Sequence, residues 1–477
     1  MSEMNVLQKM GRKENPSDYA DKDGGLKPVL GFKDMMAMGI GTVVGAGIFT
    51  IPGIVAADYA GPAVVISFIL AALVAGLSAL SYSELASAMP FAGSIYSWAN
   101  VIFGEFMGWI AGWAVLSEYL IALAFVSSAW SSYFQGFVKS LGVQIPSVIA
   151  GSFNPAKGQV IDLFGALALL GVGLLVIKGM KAAAIVENWL VVLKVAVIVI
   201  FLVVGLTAVQ VNNWVPFIPA HQAGTDFGGG IGILHGASQV FFAYIGFDTI
   251  AANSAEVKNP QKTMPRAIMG TLLVATILFV AVAAVLTGMF PYQKYAGNAE
   301  PAAWALRQAG HFFTANLLSV VALVGMFTGL IALMVGGSRL LYAFGRDGLI
   351  PRQFGKLDKN ELPRNATILM LVAGILLGSI FPIDILSNLV SAGTLVAFMM
   401  ASLSVLVLRK RKDIPNTGYK VPGYPVIPAL AALSAVGLFF TLNKDALFLM
   451  AGWLLIGMIV YFIYGMQHSS KTKTKSE

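Results

Sequence analysis

The sequence predicts an all-α polytopic membrane protein of about twelve transmembrane helices, and three observations carry that expectation. The 477 residues are 57% hydrophobic and only 11% charged, whereas a soluble domain carries roughly 25% charged residues. Apolar segments long enough to cross a bilayer, about 20 residues each, recur along nearly the whole chain. The basic residues fall in short clusters between those segments. Of the 31 Lys and Arg, 25 lie in the tails and alternate loops that share one side, five lie in the opposite loops, and Lys194 lies within a span. Lys and Arg favour the cytoplasmic side, so both termini are read as cytoplasmic and the location as the plasma membrane. The net charge of +8 is thereby read as topology, with no nucleic-acid partner. The bilayer is the one macroscopic partner implied, and the oligomeric state is not legible.

The predicted spans are 35–57, 62–89, 102–133, 160–177, 184–209, 228–256, 266–290, 314–345, 366–382, 385–408, 426–443 and 446–465. Residues 1–33 form a polar tail with no apolar core and no small-residue cleavage site, so no signal peptide is read there. Residues 34–408 form the core, 409–425 a basic loop, 426–465 two further helices and 466–477 a basic tail suited to anionic lipid. The absence of cysteine excludes a disulfide scaffold and thiolate chemistry.

The first span is the most unusual. It runs through Gly39-Ile40-Gly41-Thr42-Val43-Val44-Gly45-Ala46-Gly47-Ile48-Phe49, with Pro52 and Gly53 beyond. Each glycine costs up to about 1 kcal/mol in a helix interior. An interrupted helix persists at membrane depth only where the freed backbone lines a protein-enclosed cavity or is otherwise satisfied. Close helix packing through small residues is the other reading of the same spacing. A second weak point in the sixth span, Phe241-Phe242-Ala243-Tyr244-Ile245-Gly246-Phe247-Asp248, favours the interrupted helix. Two interrupted segments in corresponding positions point to a transporter site at the membrane midplane. The half-helix restarting near Ala46 would present free N–H groups to an anion. The one stopping near Ile245 would present carbonyls to a cation, so the natural ligand is an α-amino acid.

At these residues the chain resembles the amino acid–polyamine–organocation (APC) superfamily of transporters. The resemblance continues through Tyr82-Ser83-Glu84-Leu85, Met89-Pro90-Phe91-Ala92-Gly93-Ser94, Glu256 with Asn259-Pro260, Ser338-Arg339, Gly345-Arg346-Asp347-Gly348-Leu349-Ile350-Pro351 and Val421-Pro422-Gly423-Tyr424-Pro425, over residues 30–465. Within the superfamily the chain is similar to bacterial relatives of the cationic amino-acid transporters. The stretches Ala251-Ala252-Asn253-Ser254-Ala255-Glu256 and Asn298-Ala299-Glu300-Pro301 are most like the branched-chain amino-acid permeases of Gram-positive bacteria. The resemblance implies a five-plus-five inverted repeat (about 35–209 and 228–408) with two peripheral helices and alternating access. It further implies that amides at Gly45, Ala46, Gly47 and Ile48 hold the substrate carboxylate. Carbonyls of Phe242, Ala243 and Ile245 would hold the ammonium, with Phe242 also closing over the substrate as a gate. Many relatives carry Ser or Thr where this chain has Ala46, so only the backbone contact carries over there.

Three intramembrane charges complete the expected site. Lys194 lies about 15 Å along the helix from the span's start, at 1.5 Å per residue. A charge at the bilayer centre costs at least about 2.5–3.5 kcal/mol on insertion scales, so Lys194 is read as functional and paired. In proton-coupled relatives a lysine here occupies the place where sodium-coupled cousins bind sodium, which implies H+ as the coupling ion and no other cofactor. Asp248 is a proton-coupling or ammonium-orienting group, or a carboxylate capping the second half-helix. Glu118 faces the substrate side chain or pairs structurally. Glu84 and Glu256 are read as salt-bridge partners, and Glu105 and Glu187 as flanking charges. His235 is read as a hydrogen-bonded surface histidine or a pH sensor, and Arg346-Asp347-Gly348 as a loop anchor.

The expected function is secondary active import of α-amino acids, branched-chain ones first because Phe242, Met326 and Phe327 are large and apolar. A cationic or broad-range transporter or an exchanger is the alternative. A nutrient sensor on the same fold would call for long signalling tails, and these are short. The four histidines are widely separated and no HExxH, Walker-type or dinucleotide motif occurs, so neither an enzyme nor a metal site is read here.

Overall fold

The computed structural model describes residues 6–16, 28–91, 94–179, 183–360, 362–415 and 418–470. Lys22, Lys27, Ala92, Gly93, Lys181 and the tail from Lys471, and the side chains of Ala46 and Glu187, lie outside the described residues. In chain order the principal helices are α1 (Val6–Met10), α2 (Phe32–Val43), α3 (Ala46–Val55), α4 (Val64–Ala88), α5 (Ser94–Ile102) and α6 (Glu105–Ser140). Then follow α7 (Leu163–Lys178), α8 (Ala183–Leu206), α9 (Gly229–Val240), α10 (Phe247–Ala252), α11 (Pro260–Met289) and α12 (Pro301–Gln308). The chain ends with α13 (Phe312–Arg346), α14 (Arg364–Ile380), α15 (Ile383–Leu408), α16 (Val426–Phe440) and α17 (Lys444–Val460). Among the described residues extended structure is confined to isolated bridges such as Leu30 with Val257.

The punctuation is chemical. Asp162 caps α7 by accepting from Gly165 N–H at 3.0 Å, and Asn443 caps α17 by accepting from Ala446 N–H at 2.8 Å. Pro260 opens α11 at the first helical turn, where its missing N–H costs nothing. Pro382 and Pro425 stand immediately before α15 and α16.

Among the described residues, six helices are long and apolar enough to cross a membrane, and four shorter apolar helices accompany them. Leu73, Val203, Leu273, Leu433 and Phe448 stand exposed on α4, α8, α11, α16 and α17. A soluble monomer rarely tolerates so much apolar surface; lipid does. The chain is a multi-pass, all-helical membrane protein.

The 36-residue α6 is the axis. It is buried over most of its length and packs most extensively against α13 and α15. Helices α2, α4, α9 and α11 pack together as one group, α6, α7, α13 and α14 as another, and α15 touches both α4 and α6. The interrupted helices α2/α3 and α9/α10 pack with the first group, and α3 also touches α6 and α13 of the second; that placement builds the site.

At one end, Glu84 is fully buried and receives both Arg409 Nε and Nη2 at 2.8 Å, with Val421 N–H at 2.7 Å. The expected salt bridge is therefore present. Glu105 departs from expectation. It is buried rather than a solvated flanking charge, and accepts from Tyr461 Oη at 3.1 Å and Ser469 Oγ at 2.7 Å. Sequence periodicity does not reveal this, because both donors come from the far end of the chain. Asp347 anchors its loop by accepting from Tyr96 Oη at 2.6 Å and Arg346 Nε at 3.1 Å.

Candidate functional site

The first interruption is short. Helix α2 stops at Val43; Val44 N–H donates back to Ile40 O at 2.8 Å, and Gly45 N–H donates to Val43 O at 2.9 Å. Helix α3 begins at Ala46 with Gly45 as its N-cap, and no side chain caps it. The first N–H groups of a helix lack an internal acceptor, so Ala46, Gly47 and Ile48 present their amides at this opening. Gly45 has already committed its own N–H to the turn.

The second interruption is more elaborate. Helix α9 tightens into a 3-10 turn over Phe241–Tyr244, Ile245 is extended, and Gly246 takes a φ of +125° before α10 starts. That φ favours glycine, since a Cβ clashes in this region. The break strips the carbonyls of Ala243, Tyr244 and Ile245 of their helical partners, while Phe242 O already accepts from Ile245 N–H at 3.1 Å. Asp248 accepts from Gly246 N–H through Oδ1 at 3.0 Å, which is the capping arrangement expected as one of its two readings.

The two interruptions press on one another through their glycines. A Cβ at Gly47 would lie 3.1 Å from Ala243 Cα, and one at Gly246 would lie 2.9 Å from Thr42 Cγ2 and 3.0 Å from Val43 N. Glycine spacing in the sequence thus has two causes here, an interrupted backbone and a close crossing.

Over this crossing lies a cavity. Thr42, Val43, Gly45 and Gly47 line it from the first interruption and Phe242, Ala243 and Ile245 from the second. Ala122 and Val126 of α6 and Met326, Gly329 and Leu333 of α13 close the other side. Its side chains are apolar except for Thr42, so polar contacts to a ligand must come mostly from backbone. Phe242 holds its place by an edge-on contact with Phe125, ring centroids 4.4 Å apart, and by donating its N–H to Ser391 Oγ at 3.1 Å.

The structure gathers Gly45, Gly47, Phe242, Ala243 and Ile245 around one opening, leaves Ile48 in the first turn of α3 outside its lining, and places the three charges differently. Lys194, 4% exposed, donates from Nζ to Gly41 O at 3.0 Å, so its ammonium sits on the end of α2. Glu118, 1% exposed, lies one helical turn before Ala122 and is not among the cavity-lining residues. Its Oε2 has no hydrogen-bond partner, while Thr394 on α15 contacts its carboxyl group. Phe327 also departs from expectation. It packs near Gly171 of α7, and Met326 alone of that pair faces the cavity. Sequence reasoning missed Thr42, Val43, Ala122, Val126, Gly329, Leu333 and Ser391. Met326, Gly329 and Leu333 share one helical face, but which face turns inward is decided by the packing of α6 and α13 together.

The amino acid permease family matches residues 30–467 of this chain. BcaP of Lactococcus lactis subsp. cremoris, a branched-chain amino acid permease, is 48% identical over 462 residues, 96% of this chain and 99% of its own length. The methylthioribose transporter of Bacillus subtilis is 38% identical, over 95% of this chain and 96% of its own. The vacuolar cationic amino acid transporter 4 of Arabidopsis thaliana is 34% identical, over 83% of this chain and 66% of its own. The match runs from just before the first interrupted helix to the end of the last apolar one, across every element of the cavity. The chain belongs to the amino acid permease family of the APC superfamily.

Proposed function

We propose that this protein imports α-amino acids across the plasma membrane, branched-chain ones in particular, by proton symport with alternating access. The observation that carries the reading is the pair of interrupted helices meeting over one apolar cavity. Unspent amides at Ala46, Gly47 and Ile48 favour a carboxylate, and carbonyls at Phe242, Ala243 and Ile245 favour an ammonium. A main-chain clamp of this kind reads the part common to all amino acids and leaves the side chain to the cavity wall. The wall's apolar character, and the likeness to a branched-chain permease, support an aliphatic side chain. Phe242, between cavity and Phe125, is the proposed gate.

Lys194 is the proposed coupling group. Charged, it ties the end of α2 to α8 through Gly41 O; after losing its proton the amine holds that carbonyl less strongly, and α2 is freed to tilt. The same reading takes residues 35–209 and 228–408 as two inverted repeats, 426–465 as peripheral helices and both termini as cytoplasmic.

The test is uptake by proteoliposomes under an imposed inward proton gradient, without sodium, comparing leucine, isoleucine, valine, lysine and arginine. Leucine accumulation that collapses with a protonophore is expected. Uptake of lysine or arginine instead moves the chain to the cationic transporters. Counterflow without gradient-driven accumulation makes it an exchanger.

A further inference from the structure

We infer that Gly329 sets the size of the substrate side chain, an inference that rests on the cavity's being the substrate site. Glycine destabilises a helix interior relative to alanine, so a mid-helix glycine calls for a reason. The other glycines of α13 have one in packing. A Cβ at Gly325 would lie 2.7 Å from Lys194 Cε and one at Gly336 would lie 2.9 Å from the Tyr119 ring, while Gly337 abuts Met370 and Gly345 abuts Gly355. At Gly329 a Cβ would meet no atom within 4 Å. Gly329 nonetheless lines the cavity, on the same face of α13 as Met326 and Leu333 and together with Ala122 and Val126 of α6. No neighbour requires the missing side chain; the cavity gains its room. A side chain at position 329 would project into that room and shorten whatever the substrate places against α6 and α13. Glu118, one turn below Ala122, stays outside this space, so the limit Gly329 sets is one of volume and not of charge.

The experiment compares wild type, Gly329→Ala and Gly329→Val as full-length protein in liposomes, measuring inhibition constants for glycine, alanine, valine, isoleucine and leucine. One methylene in an apolar pocket discriminates by about 10- to 200-fold. Gly329→Ala is expected to weaken leucine and isoleucine by about 10-fold relative to alanine. Gly329→Val is expected to weaken them further while alanine is retained. Thermal unfolding in detergent serves as the folding control, and Gly329→Ala is expected to match or exceed wild type there. An unchanged order of substrates in both variants, with folded protein and a wild type that carries leucine, overturns the inference and leaves the branched-chain reading intact. A wild type that carries no branched-chain amino acid overturns that reading instead. The inference is then decided on the amino acids that it does carry, where Gly329→Val must shift preference toward smaller ones or fail.

Discussion

Two half-helices begin at the cavity, and they begin differently. The N-cap of α3, Gly45, offers no side-chain oxygen, and the amides of the first turn are left for whatever enters. The N-cap of α10, Gly246, has its amide bonded by Asp248. An N-terminus already supplied with a carboxylate has little use for another. In the function proposed above, this difference gives the two ends of a zwitterion two places: the anion at α3, and the cation at the carbonyls left by the 3-10 turn before α10.

The largest effect comes from erasing this asymmetry. Gly45 sits at φ −113°, ψ −140°, and a Cβ there would stand 3.4 Å from Thr42 O, an ordinary contact. Gly45→Asp would cap α3 from within and set a like charge against the incoming carboxylate. Like-charge juxtaposition costs several kcal/mol, so leucine affinity is expected to fall by more than about 100-fold, some 2.7 kcal/mol. Stability should hold or rise by about 1 kcal/mol, since aspartate is a favoured N-cap. Binding by scintillation proximity and melting in detergent read the two quantities separately. Wild-type affinity in the folded variant would remove α3 from the carboxylate site.

The next effect tests a second asymmetry: Lys194 bonds the carbonyl end of α2 at Gly41. Lys194→Ala is expected to abolish accumulation against a gradient while leucine counterflow survives. Uptake with and without an imposed pH difference checks this. Concentrative uptake by the variant would end the coupling role.

Why the fold was legible and parts of the site were not follows from range. Apolar length announces a spanning helix, and the glycines at 45, 47 and 246 mark an interruption within the chain's own local sequence. Lys194 announces itself as well, since a charge amid valines needs a partner. The partner, Gly41 O, is a backbone atom 153 positions away, and no side-chain pattern names it. Glu118 shows the converse. A carboxylate in a span looks like a ligand group, yet only the rotation of α6 against α13 and α15 decides that Ala122, and not Glu118, faces the cavity. Glu105 is similar, since its partners Tyr461 and Ser469 come from the last helix and tail.

Asp248 separates capping from proton transfer with a smaller signal. Asp248→Asn keeps an oxygen for Gly246 N–H, whereas Asp248→Ala removes it. The alanine variant is expected to be less stable than the asparagine variant by about 1 kcal/mol, the usual worth of such a cap. If the carboxylate only caps, Asp248→Asn transports leucine with the wild-type dependence on external pH. Loss of that dependence, with the fold intact, would add a relay role to the cap.

The smallest effect is expected at Glu118, and it bears on the same division of labour. Thr394 Oγ1 already donates its hydrogen to Val390 O at 3.0 Å, so toward Glu118 its oxygen is left to accept. A protonated carboxyl supplies that hydrogen, and so does the N–H of a glutamine amide of nearly the same shape. Glu118→Gln should therefore change leucine uptake by no more than about twofold, roughly 0.4 kcal/mol. Glu118→Ala should cost more, because it opens a void between α6 and α15 and removes the hydrogen offered to Thr394 Oγ1. Initial rates of leucine uptake, normalised to folded protein, distinguish the two variants. A large loss in Glu118→Gln would show that the carboxylate changes its proton or touches the substrate during the cycle, and charge would then join volume among the terms that set this protein's selectivity.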